Sequence, residues 1–244
     1  MTYSPLVLLS GGMDSSTLLA HSLIDPNEPD RLVEATAVFV NYGQRHIRER
    51  QSAQAIADHY GVPLIELDLT AFGQSVHSAL TTPDFAVPHG HYAEDNMRKT
   101  IVPNRNATML SAAAGIAASR GHNMVRTAVH AGDHTIYPDC RPEFITALNS
   151  ATLFACEVGI SAPFVNISKA DIVAIGTKIG VPYELTWSCY EGGENNPGQH
   201  CGRCATCVER REAFDLAGVT DPTDYADTEF WKVAIAEYNA GKRA

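Results

Sequence analysis

The sequence is short of positive charge, of cysteine and of long apolar runs, and each shortage excludes something. Lys and Arg number 18 against 28 Asp and Glu, a formal net charge of −10. A chain built to lie along nucleic-acid phosphates carries the opposite balance. No Lys or Arg precedes Arg31, so neither a secretory n-region nor an Arg-rich transit peptide is expected. The charge-free runs Asn106–Ser119 and Phe144–Cys156 fall short of the ~20 residues that span a bilayer. These absences predict a cytoplasmic protein with no membrane and no nucleic acid as partner. Six cysteines in 244 residues are too few and too unevenly spread for a disulfide scaffold. Two nucleotide-binding signatures are missing as well. No Lys precedes Lys99, so the N-terminal Gly-rich loop is not a Walker A loop, and G-x-G-x-x-G is absent.

What is present supports a folded core. Hydrophobic residues make up 45% and charged residues 19%, which is not a disordered composition. The length suits one large domain, or one with a small appendage. The expected division is residues 1–186, an α/β unit, and residues 187–244, a helical segment with a cysteine cluster packed on it.

Apolar runs and helical stripes alternate along the chain. Leu6–Leu9, Leu32–Val40, Leu64–Leu67, Met124–Val129 and Pro163–Ile167 read as strands. Asp14–Ile24, His46–Tyr60, Asn106–Ser119 and Pro142–Cys156 read as helices, the third apolar almost all round and so deeply buried. Ser168 with Asp171 resembles a capping box, followed by Ile172, Ile175, Gly176 and Ile179 on one helix face. A last helix is expected within Thr223–Asn239. The alternation predicts a five-stranded parallel sheet flanked by helices, with ligands at the carboxyl ends of the strands. Thr70–Pro103 lacks periodicity, and a segment of that length reads as a functional lid or as partly disordered.

Leu8-Leu9-Ser10-Gly11-Gly12-Met13-Asp14-Ser15-Ser16-Thr17-Leu18 follows the first strand and opens a helix. Two glycines let the backbone turn tightly and bring amides to an anion, and the helix N-terminus adds about half a positive charge. Ser10, Ser15 and Ser16 add hydroxyl donors. This Ser-Gly-Gly-x-Asp-Ser pattern resembles the PP-loop ATPases, which cut ATP between its α- and β-phosphates. In those enzymes the loop holds the pyrophosphate part, and a carboxylate or similar group on the substrate becomes adenylated.

Cys189-x11-Cys201-x2-Cys204-x2-Cys207 gathers four of the six thiols. Four thiolates suit tetrahedral Zn²⁺, and a site filled by protein on all sides is structural. An iron–sulfur cluster is the alternative that this spacing leaves open. Three polar segments follow strands or lead into the buried helix: Asn41–His46, Val102–Asn106 and His130–Arg141. They converge on one rim. Arg45, Arg105 and Arg141 there are candidate clamps for phosphate or carboxylate. Gly132 between His130 and His134 breaks helical spacing, so these histidines read as hydrogen-bonding groups.

The blocks LLSGGMDSSTL (8–18), NYGQRH (41–46), VPNRN (102–106), GDHTIYPDCRPEF (132–144) and CGRCATCVERREAF (201–214) resemble the 7-cyano-7-deazaguanine synthase family, PP-loop enzymes of queuosine precursor biosynthesis. The resemblance implies an adenine nucleotide alpha hydrolase-like fold with a C-terminal zinc-binding segment. It implies an ATP-dependent C–N ligase. ATP would activate 7-carboxy-7-deazaguanine, ammonia would give the amide, and a second, dehydrating activation would give the nitrile. It further implies that Leu8 to Leu18 bind ATP, that Cys189, Cys201, Cys204 and Cys207 bind Zn²⁺, that Mg²⁺ accompanies ATP, and that the chain pairs as a homodimer. Position suggests more. Asp14, Ser15 and Ser16 would hold pyrophosphate, and Arg105 and Arg141 would engage phosphate or the substrate carboxylate. Asp133 or Asp139 would meet the guanine-like edge or Mg²⁺. Tyr137 would stack on the heterocycle, with Tyr42, Arg45 and Asn106 beside it. Two related chemistries share these motifs: a tRNA thiolase or lysidine-type ligase, which the acidic charge disfavours, and a paralogue that attaches a deazaguanine to a protein.

Overall fold

The computed structural model describes residues 3–24, 32–44, 47–82, 89–92, 95–192 and 198–241. The chain runs β1 (Pro5–Leu8), α1 (Met13–Ser22), β2 (Thr36–Asn41), α2 (Ile47–Tyr60), β3 (Leu64–Asp68), α3 (Thr70–Gln74), α4 (Arg105–Arg120), β4 (Met124–Arg126), α5 (Pro142–Cys156), β5 (Gly159–Ser161), α6 (Lys169–Lys178), α7 (Ala205–Leu216) and α8 (Phe230–Gly241). Short 3₁₀ turns lie between several of these. All strands are parallel, in the order β3-β2-β1-β4-β5.

Strand periodicity explains the layers. Leu6 and Leu8 of β1 face one side with Val38, Val40 and Val125, under Leu110, Ala113 and Ala117 of α4 and Ile145 of α5. Val7 and Leu9 face the other side with Ala37 and Phe39, under Leu18 and Leu19 of α1, Ile56 of α2 and Ile172 of α6. Truncating a fully buried leucine such as Leu18 or Leu110 to alanine would cost about 2–5 kcal/mol. A third cluster joins Met13 and Ala20 to Val173 and to Ala213 and Phe214 of α7. Arg210 of α7 is fully buried and paired with Asp221, and it also donates to the Tyr183 carbonyl and the Thr186 hydroxyl. Among the described residues no helix is long and apolar enough to cross a membrane.

Several boundaries differ from the sequence expectation, each for a physical reason. The fifth strand is Gly159–Ser161 and not Pro163–Ile167, where the chain turns and Phe164 drops into the lower core. Ser161 and its neighbours pair with β4, which itself stops at Arg126. The second strand starts at Thr36, four residues after Leu32, which is 77% exposed. α4 is not buried all round: Ser111, Gly115 and Ala118 lie on an exposed face made of small residues. The last helix begins at Phe230, and the helical segment expected over 187–244 contains a second helix, α7, whose bounds the sequence reading did not give. In Thr70–Pro103 the described parts hold α3 and a 3₁₀ turn at Asp95–Thr100, and Tyr92 and Met97 join the core. The capping box at Ser168 is present, with the Ser168 hydroxyl accepting from the Asp171 amide and the Asp171 carboxylate accepting from the Ser168 amide.

Candidate active site and metal centre

Strand order reverses beside β1: the chain leaves it toward β2 and β3, then returns to its other side at β4. Doubly wound sheets bind ligands in the crevice at such a point. Here that crevice is a cavity of about 260 Å³, lined by the end of β1, the start of α1, the ends of β2 and β4, and side chains from α2, α4, α6 and α7.

The loop Leu8–Ser15 forms one wall. Gly11 has φ +83, and a Cβ there would lie 2.5 Å from the Ala53 amide nitrogen and the Glu49 carbonyl of α2. Only glycine fits, so the loop presses directly on α2. The Trp187 amide donates to the Gly11 carbonyl at 2.9 Å, which braces the loop from the far end of the chain. Ser15 Oγ takes the Ser10 amide at 3.2 Å and donates to the Gly12 carbonyl at 3.1 Å. α1 starts at Met13, so the amides of Met13, Asp14 and Ser15 have no carbonyl one turn back to meet.

Behind the loop sits a buried ion cluster. Lys169 Nζ lies 3.2 Å from Asp14 Oδ2 and 2.6 Å from Glu209 Oε2. Burial works against the lysine charge, but the two carboxylates outweigh it and hold its pKa above the ordinary value. Burial raises the Glu209 pKa in turn. Across the cavity the Arg105 guanidinium donates to Tyr42 Oη at 3.3 Å and stacks on its ring at 5.4 Å. Glu49, in the first turn of α2, faces this pair, and burial pushes its carboxyl up to about 7 against the opposing Arg105 charge and a Gln44 hydrogen bond. Burial raises the phenols of Tyr42, Tyr92, Tyr137 and Tyr190 too, so all four remain neutral hydroxyls.

Next to the cavity the Sγ atoms of Cys189, Cys201, Cys204 and Cys207 lie within 4.8 Å of one another. The Arg203 and Cys204 amides donate to Cys201 Sγ at 3.3 and 3.2 Å, and the Cys201 amide to Cys189 Sγ at 3.3 Å. Gly202, at φ +77, makes the tight turn between two of the ligands. Cys204 caps α7, so the positive helix end faces the thiols. This cluster can hold a metal ion.

A sheet with a Ser-Gly-Gly-x-Asp-Ser loop at its switch point, joined to a four-cysteine knuckle, matches the model of "Queuosine biosynthesis protein QueC" over residues 4–218. The chain belongs to the QueC family. It is 49% identical to the 7-cyano-7-deazaguanine synthase of Brucella anthropi over 96% of this chain and 99% of that one. It is 50% identical to that of Allorhizobium ampelinum over 96% of this chain and 97% of that one. As a QueC-family protein, the chain is an enzyme of queuosine biosynthesis acting on a small molecule.

Within this QueC chain the expected site residues divide. Leu8, Leu9, Ser10, Gly12, Met13, Asp14 and Ser15 line the cavity, as do Tyr42, Arg105, Asn106, Asp133 and Tyr137. Thr17 and Leu18 do not. Thr17 pairs with the Tyr183 hydroxyl at 2.9 Å, and Leu18 is core. Ser16 is fully buried. Arg141 is exposed and bonds the His134 carbonyl at 3.0 Å, outside the cavity lining. Asp139 also lies outside the lining. It accepts from the Asn106 amide at 3.0 Å and so caps α4. Asp133 lines the cavity but is occupied by the Tyr92 hydroxyl and the His130 amide. Tyr137 is packed with its hydroxyl 2.6 Å from that of Thr100. Arg45 falls outside the described residues.

Sequence reading missed Glu49, Lys169, Glu209, Trp187 and Tyr190, all in the lining. Lys169 follows a cap signal and Glu209 closely follows a cysteine ligand, which gave their positions a local meaning. Their meeting at the cavity depends on contacts across the fold.

Proposed function

We propose that this enzyme converts 7-carboxy-7-deazaguanine and ammonia to 7-cyano-7-deazaguanine at the expense of ATP. The observation that carries the reading is one cavity joining a phosphate loop to an aromatic recess that bears both an arginine and a carboxylate. Backbone amides and the hydroxyls of Ser10 and Ser15 favour the β- and γ-phosphates at the loop. Lys169, kept charged by Asp14 and Glu209, stands where negative charge grows as the α-phosphorus is attacked. A substrate carboxylate oxygen attacks that phosphorus and pyrophosphate leaves. Ammonia adds to the activated carbonyl carbon, loses a proton and expels AMP, giving the amide. The amide oxygen then attacks the α-phosphorus of a second ATP and displaces pyrophosphate, and loss of AMP with the two nitrogen protons leaves the nitrile. The recess of Tyr42, Arg105, Tyr137 and Tyr190 suits a flat ring with polar edges.

Zn²⁺ fits the cysteines. Tetrahedral Zn–S bonds of about 2.3 Å set sulfurs about 3.8 Å apart; three of the Sγ pairs here lie 3.4 to 3.9 Å apart and all four sulfurs lie within 4.8 Å of one another. An iron–sulfur cluster would spread its thiolates over different irons. Bound there, zinc ties the segment that braces Gly11 to α7. Mg²⁺ would enter with ATP, carried by the nucleotide's own phosphates. A homodimer is the proposed assembly, through the charge-free stretches 106–119 of α4 and 144–156 of α5, where Phe154 is 93% exposed. The site of action is the cytoplasm, with a free base and not RNA as substrate. Incubation with ATP, ammonia and 7-carboxy-7-deazaguanine, followed by mass spectrometry, tests the reading. Free nitrile is expected. A deazaguanine-modified protein, or no product, would overturn it.

A further inference from the structure

We propose that Glu49, which lines the cavity together with Arg105, reads the hydrogen-bonding edge of the deazaguanine ring, an inference that rests on the function proposed above. The edge in question belongs to a 2-amino-4-oxopyrimidine: an oxo acceptor beside two adjacent donors, the ring N–H and the exocyclic amine. A guanidinium next to a carboxylate presents the complementary pattern. Adenine presents the reverse order, an amine donor beside a bare ring nitrogen that a carboxylate repels. The pair therefore separates the base to be modified from the base of the nucleotide that activates it.

Glu49 has the acceptors to spare. It lines the cavity, and Gln44 gives it a side-chain hydrogen bond that does not offset its burial. A buried carboxylate normally collects several donors. Two N–H groups from a ligand would supply them in a bidentate, charge-assisted contact. The phosphates cannot take this place, because like charge repels them from it. Arg105 is equally under-used: it reaches Tyr42 Oη, and its Nε is buried with no partner. Tyr42 and Tyr190 stand beside the pair as walls for a planar ring. The other carboxylates the sequence suggested for this edge are committed, Asp139 to the α4 amide and Asp133 to Tyr92 and the His130 amide.

The test is Glu49→Gln with two ligands, 7-carboxy-7-deazaguanine and its analogue lacking the exocyclic amine. Loss of a charge-assisted contact predicts a KM for the base raised ~10–100-fold, with KM for ATP held within about twofold. Wild-type enzyme should discriminate against the analogue by about tenfold or more, and the variant should lose most of that discrimination. A structural role alone would move neither the split between the two KM values nor the analogue ratio. If the wild type turns over the parent base but E49Q keeps its KM and its discrimination, the inference fails alone. If the wild type does not turn over the parent base, the proposed function fails and the inference with it. Should E49Q not fold, the wild type decides: equal KM for base and analogue overturns the assignment.

Discussion

Replacing Glu49 by glutamine should make the ligand-free enzyme more stable at neutral and alkaline pH, although it removes a group proposed to bind substrate. In the folded chain burial pushes the Glu49 carboxyl from 4.5 up to about 7. The folded value lies above the unfolded one, so folding costs free energy wherever the unfolded chain has lost the proton and the folded chain resists losing it. That cost begins near the unfolded pKa, grows up to the folded one, and is constant above it. Linkage gives about 3 kcal/mol at about pH 8 and about 1 kcal/mol at about pH 5. Glutamine has nearly the same shape and no charge, so E49Q escapes this cost. The assay is urea unfolding of metal-loaded wild type and variant at both pH values, followed by tryptophan fluorescence. E49Q should be the more stable by up to about 3 kcal/mol near pH 8, with the gap closing toward pH 5. A variant that is less stable near pH 8, or a difference independent of pH, would refute the picture of a donor-starved carboxylate. A gain in stability with a loss of affinity would be the usual cost of a site kept ready for its ligand.

Other perturbations follow from the same structure. Asp14→Ala and Ser15→Ala should each lower ATP-dependent nitrile formation at least ~100-fold, since both act where charge develops; intact turnover would remove the phosphate-loop assignment. Elemental analysis should find one zinc and no iron per chain, and chelation should lower the melting temperature and expose Trp187 to quencher. Chromatography of the nucleotide products should show AMP and pyrophosphate, and ADP would refute attack at the α-phosphorus. Gly11→Ala should destabilise by about 2 kcal/mol or more, read by thermal unfolding, because φ is +83 and the Cβ site is filled by α2.

Patterns that repeat locally were legible in the sequence. The helix Pro142–Cys156 and the box at Ser168 came out with their observed bounds, because proline, a cap and a helical stripe mark them within one or two turns. The place of the Ser-Gly-Gly loop at the cavity and the gathering of the four cysteines were legible because each is a short, closely spaced motif. β5 was not. It has three residues and a glycine, and it exists through pairing with β4, not through its own propensity. Arg141 showed why a polar rim is not yet a site: the 3₁₀ turn at Pro138–Cys140 carries it out to solvent and hands its guanidinium to the His134 carbonyl. Nothing near Glu49 in the helix read at His46–Tyr60 marks it as part of a site. Its burial comes from the loop that presses on α2 and from the Trp187 segment, neither of which is near it in sequence.

The bond from the Trp187 amide to the Gly11 carbonyl has a consequence in time. Synthesis is vectorial, and domains begin to fold from their N-terminal side. The ribosome therefore delivers the Gly11 loop early and its brace late, after every strand of the sheet. A nascent or prematurely ended chain can pair β1 with β2 and β2 with β3 but leaves the loop unfastened. The contact that holds Gly11 is thus made only once synthesis has passed Trp187.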